Sequence, residues 1–410
     1  MSFYQKYLDQ LKIDFPQAWA TQSLADLLNP NLISAQHFGL QKSSIEKITD
    51  FVTAIYKLRN DPSYQDFILK SHSLFEASTF VRPENYSALM SFDFHLVDDE
   101  QPKLIEINTN ASSSLIINES YKAHGLQNIF EGPRQNFESD ILACFENEFE
   151  LWQRHFAGPK RRLRNIAIVD HQPPTQKLYL EFLLYQELFG RAGYKCIIAD
   201  PEKLELKNQR LVFEDHFEID LVYNRHTDFY FSSPECAHLK AAYSQSLACF
   251  SPHPFEYALL ADKSRLFEFS TETEILKCLL PEERDLLQTV LLKSYDVKTF
   301  ADKNWLWANR KTLFFKPKRM FGGKASYRGQ GITQGVFTNI LTGDYLAQEF
   351  APPSEVNVQL EDKTQATFKY DLRFYVYQGR IQLALARLWR GQMTNINSVG
   401  GGLAPIFINS

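Results

Sequence analysis

A predicted antiparallel hairpin is the sequence feature that most constrains the fold. Residues 369–390, KYDLRFYVYQGRIQLALARLWR, form two runs of alternating side chains that meet at Gln378-Gly379. Two such runs joined by a short turn containing glycine predict adjacent antiparallel strands. A chain with this segment must build part of its core from a β-sheet.

One face of this hairpin carries charged side chains. Asp371 and Arg373 share a face of the first strand because side chains alternate along a strand, Arg387 lies on the second strand, and Arg390 lies beyond it. An acid and two or three arginines on one sheet favour binding of a triphosphate and its metal over a plain surface.

A second hairpin is predicted upstream, where SFDFHL and KLIEINTN flank the turn VDDEQP. Glu106 and Asn108 share one face of its second strand, and Asp93 on the first strand can lie opposite them. Two carboxylates and an amide that point together favour a hard cation such as Mg²⁺. A sheet face with incidental acids explains the pattern equally well, so both interpretations stay open.

A basic, glycine-rich loop follows a short apolar run. Residues 313–315 predict a buried strand that ends at Lys316-Pro317, and the loop continues to residue 331. Glycines let backbone amides approach an anion, and cations neutralise it. The loop is not a Walker sequence, and a solvated turn is the alternative to a phosphate clamp. Its candidate phosphate-binding residues are Gly322, Gly323 and Lys324.

Residues 161–255 alternate between predicted strands and helices, which indicates a small parallel α/β domain. Asp170, Asn224 and Arg225 follow its strands at the edge where open α/β sheets commonly bind ligands. A surface ion pair or a helix cap explains Arg225 as well as ligand binding does.

The remaining segments add one candidate site. Apolar residues recur at helical spacings over the first 80 residues, which predicts a helical N-terminal region. Residues 346–350 predict a strand whose Gln348 and Glu349 either bind an adenine edge or simply end the strand.

Composition excludes several classes of protein. A chain of 410 residues with 44% hydrophobic residues is expected to form two or three folded domains and is not disordered. A net charge of −5 gives no general attraction to nucleic acid. Without a signal-like or membrane-length apolar stretch, the expectation is a soluble, cytoplasmic protein without nucleic-acid or membrane partners. Five scattered cysteines predict reduced thiols.

Together these segments resemble the ATP-grasp superfamily in a circularly permuted order, and above all the synthetase domain of glutathionylspermidine synthases. The resemblance rests on Asp93 in SFDF, on EIN at 106–108, on Lys316-Pro317 with its loop, and on the DLR of Asp371 and Arg373. It covers roughly residues 81–410. IDLVYNR and the later SPHPFEYALLADKS, which contains Lys263, resemble the pre-ATP-grasp domain and the lysine helix that follows it.

The resemblance implies an α/β (α+β) fold in four parts. These are a helical N-terminal region at 1–80, a first ATP-grasp segment with the metal-binding hairpin at 81–160, a pre-ATP-grasp α/β domain at 161–255, and the lid with the remaining ATP-binding core at 256–410. It also implies a geometry. The two hairpins should share one sheet, and the Lys316 strand and its loop should close over that sheet from the opposite side.

The implied activity is an ATP- and Mg²⁺-dependent carboxylate–amine ligase that acts through an acylphosphate on small-molecule or peptide substrates. The implied metal ligands are Asp93, Glu106 and Asn108. The implied catalytic arginines are Arg373, Arg387 and Arg390. The implied nucleotide-binding residues are Lys263, Lys316, Gly322, Gly323, Lys324, Gln348, Glu349 and Asp371.

One departure from the family pattern keeps other functions open. Ser91 stands where the family has an arginine two residues before the aspartate. Arg82, Arg225, Arg387 or Arg390 are the candidates to replace it. An inactive nucleotide-binding regulatory module and a small-molecule kinase of the ATP-grasp type are the alternative functions.

Overall fold

The computed structural model describes most of the chain. The described residues are 2–20, 22–71, 81–98, 100–132, 136–154, 160–214, 216–271, 273–320, 325–360, 364–391 and 394–409.

Thirteen α-helices lie within these ranges. They are α1 (Phe3–Asp14), α2 (Leu24–Leu27), α3 (Lys42–Arg59), α4 (Pro62–Ser71), α5 (Ser114–His124), α6 (Phe137–Arg154), α7 (Tyr179–Arg191), α8 (Ala237–Ser244), α9 (Pro254–Glu256), α10 (Ser264–Thr271), α11 (Pro281–Val290), α12 (Lys303–Ala308) and α13 (Gln334–Thr342). A π-helical turn, Tyr257–Ala261, continues α9.

The same ranges contain eighteen strands. They are β1 (Phe38–Leu40), β2 (Met90–Val97), β3 (Gln101–Asn108), β4 (Asn165–Val169), β5 (Lys195–Ala199), β6 (Leu204–Lys207), β7 (Arg210–Phe213), β8 (Phe217–Glu218), β9 (Leu221–Asn224), β10 (Cys249–Ser251), β11 (Ser294–Asp296), β12 (Leu313–Pro317), β13 (Tyr327–Arg328), β14 (Tyr345–Glu349), β15 (Ser354–Gln359), β16 (Gln365–Tyr377), β17 (Arg380–Trp389) and β18 (Gly402–Ile408).

The central sheet joins both predicted hairpins. Its strands run in the order β1-β18-β17-β16-β2-β3, and β15 pairs with the first half of β16. Strands β16 and β2 are antiparallel neighbours, with Arg373 directly opposite Asp93. The prediction that the two hairpins share one sheet is therefore confirmed.

Both faces of the central sheet are packed. The side chains on one face of β16 are apolar, and those on the other face include both apolar and charged residues. Leu372 and Phe374 belong to the core that also holds Phe51 and Ile55 of α3. Tyr375, on the opposite face, joins the core that includes residues of α5 and α6. The charged residues of β16 and β17 share this second face and lie where the helices leave it uncovered.

The N-terminal region contains the predicted helices together with an element that periodicity did not indicate. Strand β1, Phe38–Leu40, pairs in parallel with β18 and forms an edge of the central sheet. A strand of three residues carries too little alternation to be recognised. The first 71 residues are therefore part of the main core and include a strand as well as helices.

Three smaller sheets accompany the central one within the described residues, and the smallest is an antiparallel sheet of β6, β7 and β8. Strands β10, β9, β4 and β5 are all parallel, as the alternating pattern of residues 161–255 predicts, and α7 connects β4 to β5. Strands β11, β14, β12 and β13 form an antiparallel sheet, in which β12 carries Lys316.

Two further observations bear on composition. All five cysteines have free thiols, as expected. Within the described ranges no helix has the length and apolar character needed to span a bilayer.

Candidate functional site

A cleft of about 550 Å³ lies between the central sheet and the sheet that carries Lys316. The side chains of β3 form one wall, and β12, β14 and the segment after β14 form the other. Most of the predicted site residues line it. They are Glu106, Asn108, Lys263, Lys316, Gln348, Glu349, Asp371 and Arg387.

The other predicted site residues are located elsewhere. Asp93 and Arg373 lie behind the cleft, within the central sheet. Arg390 is exposed, and its guanidinium group lies 4.6 Å from the ring centre of Phe368. The loop residues Gly322, Gly323 and Lys324 lie outside the described residues.

Two acids and two arginines form a continuous row of ion pairs across three strands. Asp371 lies opposite Arg387 on neighbouring strands, and Arg373 lies opposite Asp93. The Nε and Nη2 atoms of Arg373 donate to the two oxygens of Asp93 at 2.8 and 2.7 Å. Arg387 donates to Asp371 at 2.6 and 2.8 Å, and to Asp93 Oδ2 at 2.9 Å. We call these four residues the charge row.

The charge row is neutral and buried, and its members stabilise one another. Burial alone would raise the pKa of the fully buried Asp93, but Arg373 and Arg387 hold that pKa below its ordinary value. Burial alone would lower the pKa of each arginine, and the neighbouring carboxylates raise it. Both arginines are therefore charged, and each donates to carboxylate oxygens through Nε and Nη2.

This arrangement changes the predicted metal set. Asp93 does face Glu106 across the β2–β3 ladder, as the alternation predicts. Both of its oxygens, however, accept charged hydrogen bonds from arginine, and Asp93 does not line the cleft. Asn108 Nδ2 lies 3.4 Å from Asp93 Oδ2 and 3.5 Å from Glu106 Oε1, which brings the three side chains together only loosely.

The side chains at the cleft therefore provide only part of the predicted ligand set for a magnesium ion. Glu106 makes no ion pair within the described residues and lines the cleft, so its carboxylate is available. Asn108 adds an amide oxygen beside it. Magnesium commonly takes one or two protein carboxylates and completes its shell with water and phosphate oxygens. Of the three predicted ligands, Glu106 and Asn108 line the cleft and would hold the ion, whereas the arginine contacts of Asp93 disfavour its predicted role.

Lys316 reaches from β12 across the cleft to β3. Its ammonium group donates to the backbone oxygen of Ile105 at 2.9 Å and to Gln348 Oε1 at 2.8 Å. Both acceptors are neutral, and no described carboxylate lies within ion-pair distance. Burial lowers the pKa of Lys316 to about 8, although nearby Glu106 opposes the shift. The wall thus presents a buried cation without an anionic partner.

Gln348 beside it has an unused donor. Because a lysine ammonium can only donate, its contact fixes Gln348 Oε1 towards Lys316 and leaves Nε2 on the other side. This nitrogen is buried and has no hydrogen-bond partner among the residues that the structure describes. A buried polar atom without a partner is costly, and a ligand is one means of satisfying it.

Two further cleft residues were not selected from the sequence. His95 lies on β2 and Arg328 on β13, and both line the cleft. Arg328 belongs to the basic loop, and its guanidinium group lies 4.2 Å from the ring centre of Phe350. The sequence did contain a signal for His95. It follows Asp93 by two residues on the same strand, and residues i and i+2 of a strand share a face.

Three of the four candidates for the role of the family arginine at Ser91 do not line the cleft. Ser91 is fully buried, with its hydroxyl 3.4 Å from Asp93 Oδ1. Arg225 donates to the backbone oxygens of Asn110 and Ala111, and so supports the loop after β3. Arg82 forms an exposed pair with Asp66. Of the candidate replacements, Arg387 alone lines the cleft.

No protein-family model matches the sequence, and no curated protein matches it either. A solved glutathione synthetase-like effector from Globodera pallida is similar to the whole chain. Its TM-score is 0.60 at 13% identity, over 99% of this chain and 97% of that chain.

Two other solved structures are similar at a lower level. A γ-glutamylcysteine synthetase-like protein from Methylobacillus flagellatus has a TM-score of 0.45 at 12% identity, over 91% of this chain and 90% of that chain. The ATP-grasp ligase PsnB, complexed with a minimal precursor, has a TM-score of 0.31 at 10% identity, over 60% of this chain and 90% of that chain.

The similarity to the effector extends over nearly the full length of both chains and identifies the fold. At 13% identity it identifies nothing beyond the fold. The chain is a mixed α/β protein that shares the fold of this glutathione synthetase-like effector.

Proposed function

We propose that the chain binds ATP in the cleft and uses it to join a carboxylate to an amine. The observation that carries this proposal is the buried ammonium group of Lys316, whose two protein acceptors are neutral. Buried charges are ordinarily paired, so an anion is expected to complete this site. The unpartnered Nε2 of Gln348 adds a second unmet hydrogen bond in the same wall.

Other cleft residues have roles that suit a nucleoside triphosphate. Lys316 would donate charged hydrogen bonds to phosphate oxygens, which are stronger than those between neutral groups. Lys263 and Arg328 add cations at the cleft, and Glu106 with Asn108 would hold Mg²⁺. The glycine-rich loop after β12 would cover the phosphates. ATP supplies the phosphoryl group that activates a carboxylate as an acylphosphate, which the amine then attacks.

Arg387 is the charge-row arginine that lines the cleft, and it would stabilise negative charge that develops on the transferring group. Arg373 would act indirectly, by sharing Asp93 with Arg387 and so fixing the position of the Arg387 guanidinium group. Arg390 is assigned no catalytic role in this proposal. The substrates would be a small-molecule or peptide carboxylate and an amine.

A binding and turnover experiment tests the proposal. ATP is titrated into the purified full chain with Mg²⁺, and phosphate release is then measured with a panel of amino acids, dipeptides and polyamines. We expect saturable ATP binding, with ADP and phosphate released only when a carboxylate and an amine are both present. Absence of ATP binding would contradict the proposal as a whole.

The charge row favours a second candidate, a nucleotide-binding module without turnover. Ser91 replaces the family arginine, and Asp93 engages both remaining arginines of the row. A site whose arginines are already neutralised has less positive charge to offer a reacting phosphoryl group. ATP binding without phosphate release on any substrate mixture would favour this module, and release with an alcohol alone would favour a kinase.

A further inference from the structure

We infer that helices α3 and α4 of the N-terminal region position Lys263 at the cleft, and that Arg59 and Tyr64 are the positioning residues. The inference rests on the proposed nucleotide site, in which Lys263 is one of the cations, and it adds a role for the N-terminal region. Lys263 lines the cleft, whereas Arg59 and Tyr64 do not. Both would therefore act through the segment of the chain that carries Lys263.

That segment contains the π-helical turn Tyr257–Ala261, which leads directly into Asp262 and Lys263. The backbone nitrogen of Asp262 donates to the backbone oxygen of Tyr257 at 2.9 Å, which is the i to i+5 bond of a π-helix. Tyr257 and Ala261 line the cleft together with Lys263. Single π-helical turns are rare and are found frequently at functional sites.

Arg59, the last residue of α3, holds the start of this turn. Its Nε and Nη2 atoms donate to Glu256 Oε2 at 2.9 and 2.6 Å, and Glu256 immediately precedes the turn. The two side chains are 5% and 0% exposed. Charged hydrogen bonds between buried groups are strong and directional, so this pair fixes the position of Glu256 relative to α3.

Tyr64, on α4, holds the turn at a second point. Its side chain is fully buried, and its hydroxyl group donates to the backbone oxygen of Leu259. The turn ends at Asp262, where the backbone is extended, so the last carbonyl groups of the turn lack the partners that a continuing helix would supply. Tyr64 provides a partner for one of them.

Beyond the turn, Lys263 reaches the end of β12 on the facing sheet. Its ammonium group donates to the backbone oxygen of Met320 at 2.8 Å, and no carboxylate of a described residue lies within ion-pair distance. The ammonium group can therefore donate further hydrogen bonds to a phosphate. Because the lysine side chain is flexible, the position of its backbone determines which phosphate oxygens it reaches.

The test is a double-mutant cycle on ATP affinity, measured by calorimetric titration into the full chain. Tyr64→Phe and Arg59→Lys are each made in the wild-type chain and in Lys263→Met. We expect each of them to weaken ATP binding about two- to tenfold in the wild-type chain. In Lys263→Met neither should have an effect, because the residue through which they act is absent.

Tyr121→Phe is the matched control. The Tyr121 hydroxyl group is also buried and donates to backbone oxygens, those of Ala384 and Ile406 at 3.0 and 3.1 Å, in strands of the central sheet. Urea denaturation should show a loss of stability in Tyr121→Phe comparable with that in Tyr64→Phe, whereas the ATP affinity of Tyr121→Phe should remain that of the wild type. Equal losses of ATP affinity in the two variants would indicate a general structural effect and would overturn the inference.

Three further outcomes decide the matter. Wild-type ATP affinity in both Tyr64→Phe and Arg59→Lys would overturn the inference and leave the proposed function standing. A loss of affinity that persists undiminished in Lys263→Met would overturn it as well, since the effect would not pass through Lys263. If Arg59→Lys does not fold, Tyr64→Phe decides alone.

If no ATP binds to the wild-type chain, the proposed function fails, and a measurement without nucleotide decides the inference. The side-chain NMR signal of Lys263 is assigned with Lys263→Met in protein labelled at the lysine side chains. This signal should shift in Tyr64→Phe and stay in place in Tyr121→Phe. An unchanged signal in Tyr64→Phe would overturn the inference.

Discussion

The two walls of the cleft satisfy their charges in opposite ways. On the central sheet, the charge row pairs two acids with two arginines at 2.6–2.9 Å. On the facing sheet, Lys316 is equally buried and has only neutral acceptors. The charge row is electrostatically complete without a ligand, and Lys316 is not. This difference supports the proposal that the anion binds at the β12 wall.

Substitution of Asp93 should produce the largest effect. Asp93→Asn leaves Arg373 without a carboxylate partner, whereas Arg387 keeps Asp371. Loss of one side of a buried ion pair costs about 3–5 kcal/mol of unfolding free energy. Urea denaturation measures the change. The comparison variant is Asp66→Asn. Asp66 pairs with Arg82 at a similar distance, 2.8 Å, but the pair is exposed, so the substitution should cost about 0–1 kcal/mol. Equal costs at the two sites would contradict the comparison.

The pH dependence of stability should report the unpaired state of Lys316. Its pKa is lowered from 10.5 to about 8 in the folded protein, so the unfolded chain binds more protons between these values. Stability should therefore rise with pH from about 8 to about 10.5, by at most about 3 kcal/mol, and should be insensitive to this group below pH 8. Lys316→Met should lack this rise. Parallel pH curves for the two proteins would show that Lys316 is not a destabilising buried charge.

Nucleotide binding should weaken in Lys316→Met by about 1.5–3 kcal/mol, roughly ten- to a hundredfold in Kd, because a charged hydrogen bond to phosphate is lost. Stability without ligand should hold or rise near pH 7. Calorimetry with ATP measures the first quantity and urea denaturation the second. Lys318→Met is the contrasting variant, since Lys318 already pairs with Asp296 and Asp344. It should lose stability with a smaller change in ATP affinity.

The smallest change in stability is expected for Glu106→Gln. Glu106 makes no ion pair within the described residues, so the unfolding free energy without metal should change by about 0.5 kcal/mol or less. Binding of Mn²⁺ in the presence of ATP, followed by electron paramagnetic resonance, should nevertheless weaken. Mn²⁺ binding that is unchanged in this variant and lost in Asp93→Asn would restore Asp93 as a metal ligand.

Local patterns were sufficient to predict the two hairpins, and the family resemblance implied that they share a sheet. The turn at Gln378-Gly379 joins β16 to β17, and alternation correctly put Asp93 opposite Glu106. The parallel order of β10, β9, β4 and β5 also followed from alternating strands and helices. These features depend on the residues that form turns and on the alternation of side chains along a strand, and both can be seen in a single sequence.

The register between the hairpins was beyond local patterns. It puts Arg373 directly opposite Asp93 and thereby removes Asp93 from the cleft. A shift by one residue would turn these side chains to the other face, and nothing in either hairpin alone fixes the pairing between them. The sequence could not show that Lys316 has only neutral acceptors, or that Gln348 Nε2 has no partner among the described residues. Both properties depend on atoms that the fold brings together from distant segments.

The most direct test of the account follows the ammonium group of Lys316 itself. The pKa of this group is measured by NMR on protein labelled at the lysine side chains, with Lys316→Met for assignment, without nucleotide and at saturating ATP. Because phosphate oxygens favour the protonated form, the pKa should rise from about 8 when ATP binds. Saturable ATP binding that leaves the pKa of Lys316 unchanged would contradict the claim that this lysine is the phosphate-binding cation of the cleft.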